Sequence, residues 1–225
     1  EPTPGFLIRQ ARIRDLRVTY VDPGRTSPIR FQASEIDQVH LDSGDLQVGL
    51  DGDINGTSVT LNGTAGSFAS LRDAGQVHLD LRGTIGEISI NTNAKIDSLA
   101  EPGKPVVNLD IRGPDARYLT DILGIAPVTR GTLNLAGTVE PVADKMNLTF
   151  QGEFGEFEID VVGSFSDLQD LDAVDIDFST VGPNAAVFGK LAGLDHIPAD
   201  PYSITGILRR KGDAISVESV TIEIE

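Results

Sequence analysis

Few side chains in this chain have the type and spacing that catalysis or metal binding requires. The three histidines, His40, His78 and His196, lie too far apart to form a ligand motif. No Gly-x-Ser-x-Gly nucleophile elbow occurs, and the lack of cysteine excludes thiolate and disulfide chemistry. The glycines between residues 63 and 66 separate predicted strands and open no helix, so a phosphate cradle is not expected. The sequence therefore predicts neither an enzyme active site nor a bound cofactor or metal.

The aspartates between residues 167 and 177 are the strongest candidates for a cation site. They lack the Gly-containing loop of an EF-hand and the glycine-rich nonapeptide of calcium-binding β-rolls. From Asp172 onward the acids alternate with Val174, Ile176 and Phe178, which indicates a strand with one wet face. We therefore expect these acids to be solvated.

The charge of the chain restricts its partners. The net charge of −16 disfavours nucleic acid and anionic membrane surfaces, because phosphate binding needs clustered Lys and Arg. The distribution is uneven: residues 1–30 hold six arginines against three acids, whereas residues 140–200 hold thirteen acids against Lys145 and Lys190. The general expectation for such an acidic stretch is a solvated face that aids solubility.

Most of the chain alternates apolar and polar residues with a period of two, which predicts strands with one dry and one wet face. Asn55-Gly56 is the strongest hairpin signal. No run approaches the roughly 20 apolar residues of a membrane-spanning helix. The apolar residues that we expect to share the dry face are Leu16, Val18, Tyr20, Ile29, Phe31, Val48, Leu50, Leu61, Val77, Leu79, Leu81, Val107, Leu109, Ile111, Leu133, Leu135, Met146, Leu148, Phe150, Ile159, Val161, Val174, Ile176, Phe178, Ile204, Leu208, Val217 and Ile222.

Strands of this kind must cover their dry face, because an exposed apolar sheet aggregates. A sandwich, a solenoid and a trough that holds an apolar ligand all need the same alternation, so the pattern alone cannot choose between them. Without further information a closed sandwich or solenoid core is favoured. Two segments break the pattern and are predicted to be short helices, near 114–123 and 183–192, each too short to be stable without docking on the sheet.

An internal repeat with a constant offset of 69 residues organises the second half of the chain. Gly113-Pro114-Asp115-Ala116 returns as Gly182-Pro183-Asn184-Ala185, and Gly137 returns as Gly206. The repeat predicts a first β-repeat region at 1–112, a second repeat at 113–181 and a truncated third at 182–225, within one elongated domain.

These motifs resemble the AsmA-like family of Gram-negative envelope proteins, part of the wider group of repeating β-groove, bridge-like lipid-transfer proteins. Val18-Thr19-Tyr20-Val21-Asp22 is similar to the family's opening strand and turn. Leu109 to Asp115, with its Gly-Pro-Asp, followed by a short helix and by Gly131 to Gly137, is similar to its pattern of strand, helix and strand. The similar segments span residues 13 to 225.

The resemblance implies an all-β fold: an elongated, strongly curved antiparallel sheet, built of repeats, that forms a groove with two short helices. It implies a non-enzymatic periplasmic segment whose groove, lined by the apolar set above, shields phospholipid acyl chains in transit between the inner and outer membranes. It also implies a parent protein anchored in the inner membrane, with other envelope proteins as further partners. Since the chain starts at Glu1 without Met and ends within a strand pattern, we expect it to be a segment of a longer protein.

The alternative hypothesis is a closed-core structural or adhesive β-repeat that acts through protein contacts. A weaker alternative is a carbohydrate-binding or carbohydrate-processing solenoid, which the shortage of Trp and Tyr disfavours. The first two hypotheses differ for Leu135→Asp. This change would weaken lipid capture in a groove, whereas in a closed core it would bury an unpaired charge and unfold the protein.

Overall fold

The computed structural model describes residues 10–20, 29–40, 45–67, 69–70, 73, 75–98, 104–123, 130–166, 173–186, 198–211 and 214–224. For part of this chain, including most of the first two strands, it describes the backbone alone.

The described residues form one antiparallel sheet of thirteen strands, in which the order across the sheet is the order along the chain. No pairing joins the first and last of these strands, so the sheet is open. The protein is all-β, with the helix α1 (Arg117–Leu123) and further helical residues at 69–70 and 185–186. The strands are β1 Gln10–Tyr20, β2 Ile29–His40, β3 Asp45–Ile54, β4 Thr57–Ser67, β5 Val77–Ile85, β6 Ile88–Ile96, β7 Val106–Gly113, β8 Leu133–Val142, β9 Lys145–Phe154, β10 Phe157–Phe165, β11 Ala173–Gly182, β12 Tyr202–Lys211 and β13 Ala214–Ile224.

The sheet is a single layer. Every substantial contact between the described elements joins two strands that are neighbours in the sheet, and no second sheet packs on either face there. The closed sandwich or solenoid core that alternation alone favoured is therefore wrong for the described residues. The alternation is the same in both cases, because it reports that one face is dry and not what covers that face.

Among the described connections, tight turns join β3 to β4, β5 to β6, β8 to β9 and β9 to β10. Asn55 and Gly56, with φ of 52° and 85°, join β3 to β4 in the left-handed conformation that two-residue hairpins need. Gly56 N also donates to Asp53 Oδ1 at 3.0 Å. Gly86 and Gly155 take positive φ in two further turns.

Irregular residues in the two outermost strands keep their apolar positions on one face. Ile13 and Leu16 are three residues apart, as are Val217 and Val220, and a regular strand would place the members of each pair on opposite faces. The backbone takes φ of 54° at Asp15, and the register of the neighbouring pair slips by one residue there. Ser219, with φ of 52°, marks the same slip in β13. Because one strand of each pair gains one residue at the slip, the apolar residues before and after it lie on the same face of the sheet.

The 69-residue repeat is visible in the strand bounds. β6 is Ile88–Ile96 and β10 is Phe157–Phe165, while β8 is Leu133–Val142 and β12 is Tyr202–Lys211. Each bound of the second strand lies 69 residues after that of the first. The repeat is thus a unit of the sheet as well as of the sequence.

The predicted helices occupy the matching position in both copies, between β7 and β8 and between β11 and β12. α1 begins at Arg117, so Pro114 precedes the helix instead of opening it as predicted. Ala185 and Ala186 are helical, and residues 187–192 of the second predicted helix lie outside the described part.

Candidate functional site: the apolar face of the sheet

One row of paired residues crosses the whole sheet. Every position in it except Gly83, Gly152 and Thr180 carries Ile or Leu. In strand order, this central row is Ile13, Ile36, Leu50, Leu61, Gly83, Ile90, Ile111, Leu135, Gly152, Ile159, Thr180, Ile204 and Ile222. Directly paired residues lie on the same face of an antiparallel sheet. The central row therefore defines one side of the sheet, called the apolar face below.

The register places those residues of the predicted dry-face set whose side chains are described at positions of the apolar face. Leu50, Leu61, Ile111, Leu135, Ile159, Ile204 and Ile222 belong to the central row. The neighbouring rows carry Val48, Leu79, Leu81, Val107, Leu109, Met146, Leu148, Phe150, Val161, Val174, Ile176, Phe178, Leu208, Val217, Val77, Leu133 and Leu16. For Val18, Tyr20, Ile29 and Phe31 the description is limited to the backbone, which pairs Val18 with Phe31 and Tyr20 with Ile29.

Burial on the apolar face is greatest near the strand ends. Val77 and Met146 are fully buried at one margin, and Ile88 and Leu133 at the other. Along the middle, side chains such as Leu135 are half-buried, except near the second insert, where Ile204, clustered with Ala185, and Thr180 are buried. The margins are therefore covered while the centre of the face stays partly open to solvent.

The margin at the start of β8 is covered by the segment that follows β7. Ala116 is buried with Ile88 and Leu133, and Leu119 of α1 packs against this cluster. In the second copy, Ala185 is buried with Phe157 and Tyr202, whose rings meet edge to face with centroids 6.3 Å apart. The equivalent alanines of the two copies, Ala116 and Ala185, thus cover the apolar face at the same margin.

Backbone capping fixes this cover in both copies. Asp115 Oδ1 accepts from Arg117 N at 2.9 Å, and Ala116 N donates to Gly131 O at 2.8 Å. The second copy repeats both contacts: Asn184 Oδ1 accepts from Ala186 N at 3.0 Å, and Ala185 N donates to Asp200 O at 2.9 Å. Side-chain capping of this kind satisfies donors that the helix start leaves open. This explains why the motif allows Asp or Asn at its third position.

Asp115 differs from Asn184 in being paired with a cation. Its carboxylate accepts from Arg117 Nε at 3.0 Å and from Nη2 at 2.6 Å. These hydrogen bonds from Arg117 lower the pKa of Asp115 below its ordinary value.

Valines on the two faces show which side of the sheet is enclosed. Val59 and Val77 on the apolar face are 3% and 1% exposed, whereas Val162 and Val181 on the opposite face are 49% and 38% exposed. Val161, adjacent to Val162 in β10, points the other way and is half-buried. Away from β13, where Val217 and Val220 of the apolar face are 55% and 48% exposed, the valines compared are therefore less exposed on the apolar face than on the opposite face.

Large rings of the apolar face lie over glycines in neighbouring strands. A Cβ atom at Gly137 would lie 2.3 Å from Phe150 Cδ1, and one at Gly206 would lie 2.8 Å from Phe178 Cζ. Both pairs occupy the row next to the central row. The missing side chains give the aromatic rings their room on a crowded face.

The opposite face is polar and has hollows of its own. Two of these hollows have volumes of about 580 and 540 Å³. Exposed ion pairs, such as that of Arg112 with Asp110 at 2.8 Å, lie on this face. The polar side chains that line the larger hollow include Asn91, Asn93, Asn108, Thr138, Thr149 and Gln151. Amides and hydroxyls of this kind favour water or polar ligands over hydrocarbon.

The candidates for chemistry whose side chains the structure describes lie apart from one another, whereas His196, Asp167, Asp170 and the side chain of His40 lie outside the described part. His78 is exposed and lies 3.3 Å from Gln76 Oε1 through its Nε2. Asp175 and Asp177 are exposed on β11, as expected for a wet face, and Asp175 accepts from Arg209 Nε at 3.3 Å. The placement of Asp172 lies outside the described residues. Among those described, no three His, Cys, Asp or Glu groups come together as a metal site.

Residues of the apolar face that the sequence-based set omitted include Ile88, Phe157 and Tyr202, all buried. Each begins a strand, and each continues the alternation that identified its neighbours. The alternation could have found them. Their burial could not have been foreseen, because it comes from the inserts that dock on this margin.

Comparison with protein-family models, with characterised proteins and with solved structures finds no significant match for this chain. No helix in the described residues is long and apolar enough to span a membrane.

Proposed function

We propose that this chain is a segment of an AsmA-like lipid-transfer groove in the periplasm of a Gram-negative bacterium. In this proposal the apolar face holds phospholipid acyl chains while their head groups stay in water, and lipid passes between the inner and outer membranes. The parent protein is anchored in the inner membrane, and the segment itself performs no enzymatic chemistry.

The observation that carries the proposal is the central row. Its Ile and Leu positions continue from β1 to β13, interrupted only by Gly and Thr, and no second layer covers the face in the described residues. Thirteen strands at about 4.8 Å spacing give the row a length of roughly 58 Å. An apolar row of this length suits a ligand that moves from strand to strand across the sheet.

The energetics of such a groove need no specific polar site. Moving an acyl chain out of water contributes about 0.8 kcal/mol per CH₂ through the hydrophobic effect. That driving force is non-directional, so lipid can slide from strand to strand without breaking fixed contacts. The apolar face of the described strands matches this requirement.

The direct test is to purify the chain from a Gram-negative periplasm and analyse it by native mass spectrometry and lipid extraction. We expect bound phospholipid that a fluorescent fatty-acid probe displaces. Photo-crosslinking residues at Leu135 and Val161 should capture lipid, whereas their neighbours Ala136 and Val162, on the polar face, should not.

Two results would contradict the proposal. One is a lipid-free mass together with no binding of the fluorescent probe. The other is lipid capture that is equal at Val161 and Val162, because the two side chains point to opposite faces of the same strand and a groove can occupy one face alone.

A further inference from the structure

Two adjoining hollows on the polar face form an elongated depression, called the polar track below. The hollow of about 580 Å³ spans β6 to β10, and the hollow of about 540 Å³ spans β8 to β11. They share Ala136, Gln151 and Asp160. Six strands at about 4.8 Å spacing give the polar track a length of roughly 24 Å. The track therefore has room for an extended ligand that crosses the strands.

Two rows of paired residues follow the polar track and lie two residues apart along each strand. The first row is Asn93, Asn108, Thr138 and Thr149, and the second is Asn91, Asp110, Ala136, Gln151, Asp160 and Ser179. At about 3.3 Å per residue, the two rows are separated by about 7 Å. Ala136 has the shortest side chain of either row, and it leaves space between its longer neighbours.

Most of these side chains are neutral groups that can both donate and accept hydrogen bonds. Asn91, Asn93, Asn108 and Gln151 are exposed, and their side chains make no hydrogen bond within the described part of the chain. Asn is depleted in strands, so strand formation does not account for three asparagines on two paired strands. The amides of the polar track are therefore available to a ligand.

The charged groups of the polar track narrow the class of ligand. Asp110 is paired with Arg112 at 2.8 Å, and Asp160, Glu153 and Glu158 can accept hydrogen bonds from hydroxyl groups. The residues that line the two hollows include no Lys or Arg, so a phosphate or carboxylate ligand meets no cation there. A hydrocarbon would desolvate the amides without replacing their hydrogen bonds. A neutral ligand rich in hydroxyl groups matches this lining best.

We propose that the polar track binds a neutral β-1,4-linked glycan that lies across the strands. The sugar units of such an extended chain repeat at nearly the strand spacing of about 4.8 Å, so one sugar lies over each strand. Hydroxyl groups project from both edges of the glycan toward the two rows. The lining offers no Trp or Tyr ring for stacking, so individually modest hydrogen bonds supply the affinity. The site lies on the face opposite the proposed lipid groove and does not depend on it.

Binding can be measured by ligand-observed nuclear magnetic resonance with cellohexaose and chitohexaose, which are neutral and β-1,4-linked. Maltohexaose is the matched control, because it has the composition of cellohexaose but α-1,4 links that curve the chain. We expect saturation transfer from the protein to the first two glycans and much weaker transfer to maltohexaose. The affinity should not change with salt, because the ligand carries no charge to be screened.

Asn93→Ala and Asn108→Ala test the proposed contacts, since these two residues are paired in the first row. Each variant should weaken glycan binding several-fold, and the double variant should weaken it further. Asn62→Ala is the matched control, because Asn62 is an exposed asparagine on the polar face of β4 and lines neither hollow. Thermal melts confirm that each variant is folded.

Four results would overturn the proposal. These are the failure of both β-1,4-linked hexasaccharides to bind, equal binding of maltohexaose, equal losses for Asn62→Ala and Asn93→Ala, and displacement of a fluorescent fatty acid by the glycan, since the two ligands belong on opposite faces. Salt-sensitive binding of a hexalysine peptide by a chain that binds neither glycan would assign the polar track to a basic partner instead.

Discussion

The ring of Phe150 in β9 occupies the space that a side chain at Gly137 in β8 would need. A Cβ atom at Gly137 would come within 2.3 Å of the ring and within 2.5 Å of Thr149 O. The second contact is to backbone, which cannot move aside as a flexible side chain can. The Phe150 ring can therefore lie in this position only because residue 137 has no side chain.

Replacing Gly137 with alanine should therefore destabilise the protein. Overpacking of this kind costs about 1–3 kcal/mol, which urea denaturation can measure. The matched control is Ala136→Ser, on the polar face of the same strand, which should stay within about 0.5 kcal/mol of the wild type. Equal stability of the two variants would show that the apolar face is less crowded than the structure indicates.

Leu135→Asp should weaken binding of a fluorescent fatty acid more than it weakens the fold. The half-buried side chain at this position keeps the new carboxylate in contact with water until an acyl chain covers it. We expect affinity to fall about tenfold or more, a loss of about 1.4 kcal/mol per factor of ten. Thermal melts of the same sample give the stability.

Ala136→Asp is the control for that experiment, since it adds the same charge on the polar face. It should change neither binding nor melting temperature appreciably. If Leu135→Asp reduces stability and binding to the same extent, the residue acts as part of a core and the groove proposal loses its support.

The cap of α1 predicts a difference between the two copies of the repeat at acidic pH. Since hydrogen bonds from Arg117 lower the pKa of Asp115, the ionised cap stabilises the fold above the ordinary carboxyl pKa. This contribution is lost as the pH falls through the lowered pKa. Asp115→Asn keeps the capping oxygen, as Asn184 shows, but loses the charge.

Asp115→Asn should therefore lower the melting temperature at neutral pH by a few degrees at most, and the difference from the wild type should shrink in acid. Asp115→Ala, which also loses the cap, should be less stable than Asp115→Asn at every pH. A melting-temperature difference between wild type and Asp115→Asn that does not change with pH would rule out the Arg117 pairing as its cause.

Tyr202 predicts a loss of stability in alkali. Burial raises its pKa above the ordinary value of 10.0, against the opposing effect of its hydrogen bond with Thr180. A raised pKa in the folded state means that this contribution to stability is complete below the unfolded pKa, near 10, and is lost as the pH rises through the folded value. Ionised tyrosine absorbs in the near ultraviolet, so the titration can be followed directly.

Tyr202→Phe should remove one tyrosine ionisation from that alkaline absorbance change and leave the variant, relative to the wild type, more stable above pH 10 than below it. Tyr118 serves as a comparison, since its pKa is raised mainly by a hydrogen bond with Glu87 and its ring is 37% exposed. If Tyr202→Phe tracks the wild type throughout the alkaline range, the burial of Tyr202 does not control its ionisation.

Alternation predicted the strands, because each residue of the dry-face set obeys a local rule; that this set lines a groove stays a prediction. It failed to predict how Ile13 and Leu16, three residues apart, reach the same face, since that depends on a kink at Asp15. The alternation also could not decide between a closed core and an open sheet. That choice depends on whether distant strands meet, and a pattern with a period of two is the same in either case.

The repeat motif was more informative than its length suggested. Gly-Pro-Asp and Gly-Pro-Asn signalled two equivalent inserts, and the caps at Asp115 and Asn184 have the same geometry. The predicted start of α1 was wrong by a few residues, because Pro114 was taken as the first helical position. The burial of Ala116 and Ala185 could not be read from sequence, since it depends on the strands that these alanines cover.

The strictly sequential order of the strands has a consequence for folding and unfolding. Since the main contacts of each described strand are with its neighbours along the chain, stability approaches a sum of local terms. A destabilising substitution in β5 should then weaken the pairing of β5 with β4 and β6 and leave the stability of β12 almost unchanged. Amide hydrogen exchange would follow a gradient along the sheet instead of one global opening, and a long molecule of this design could lose one section while the others persist.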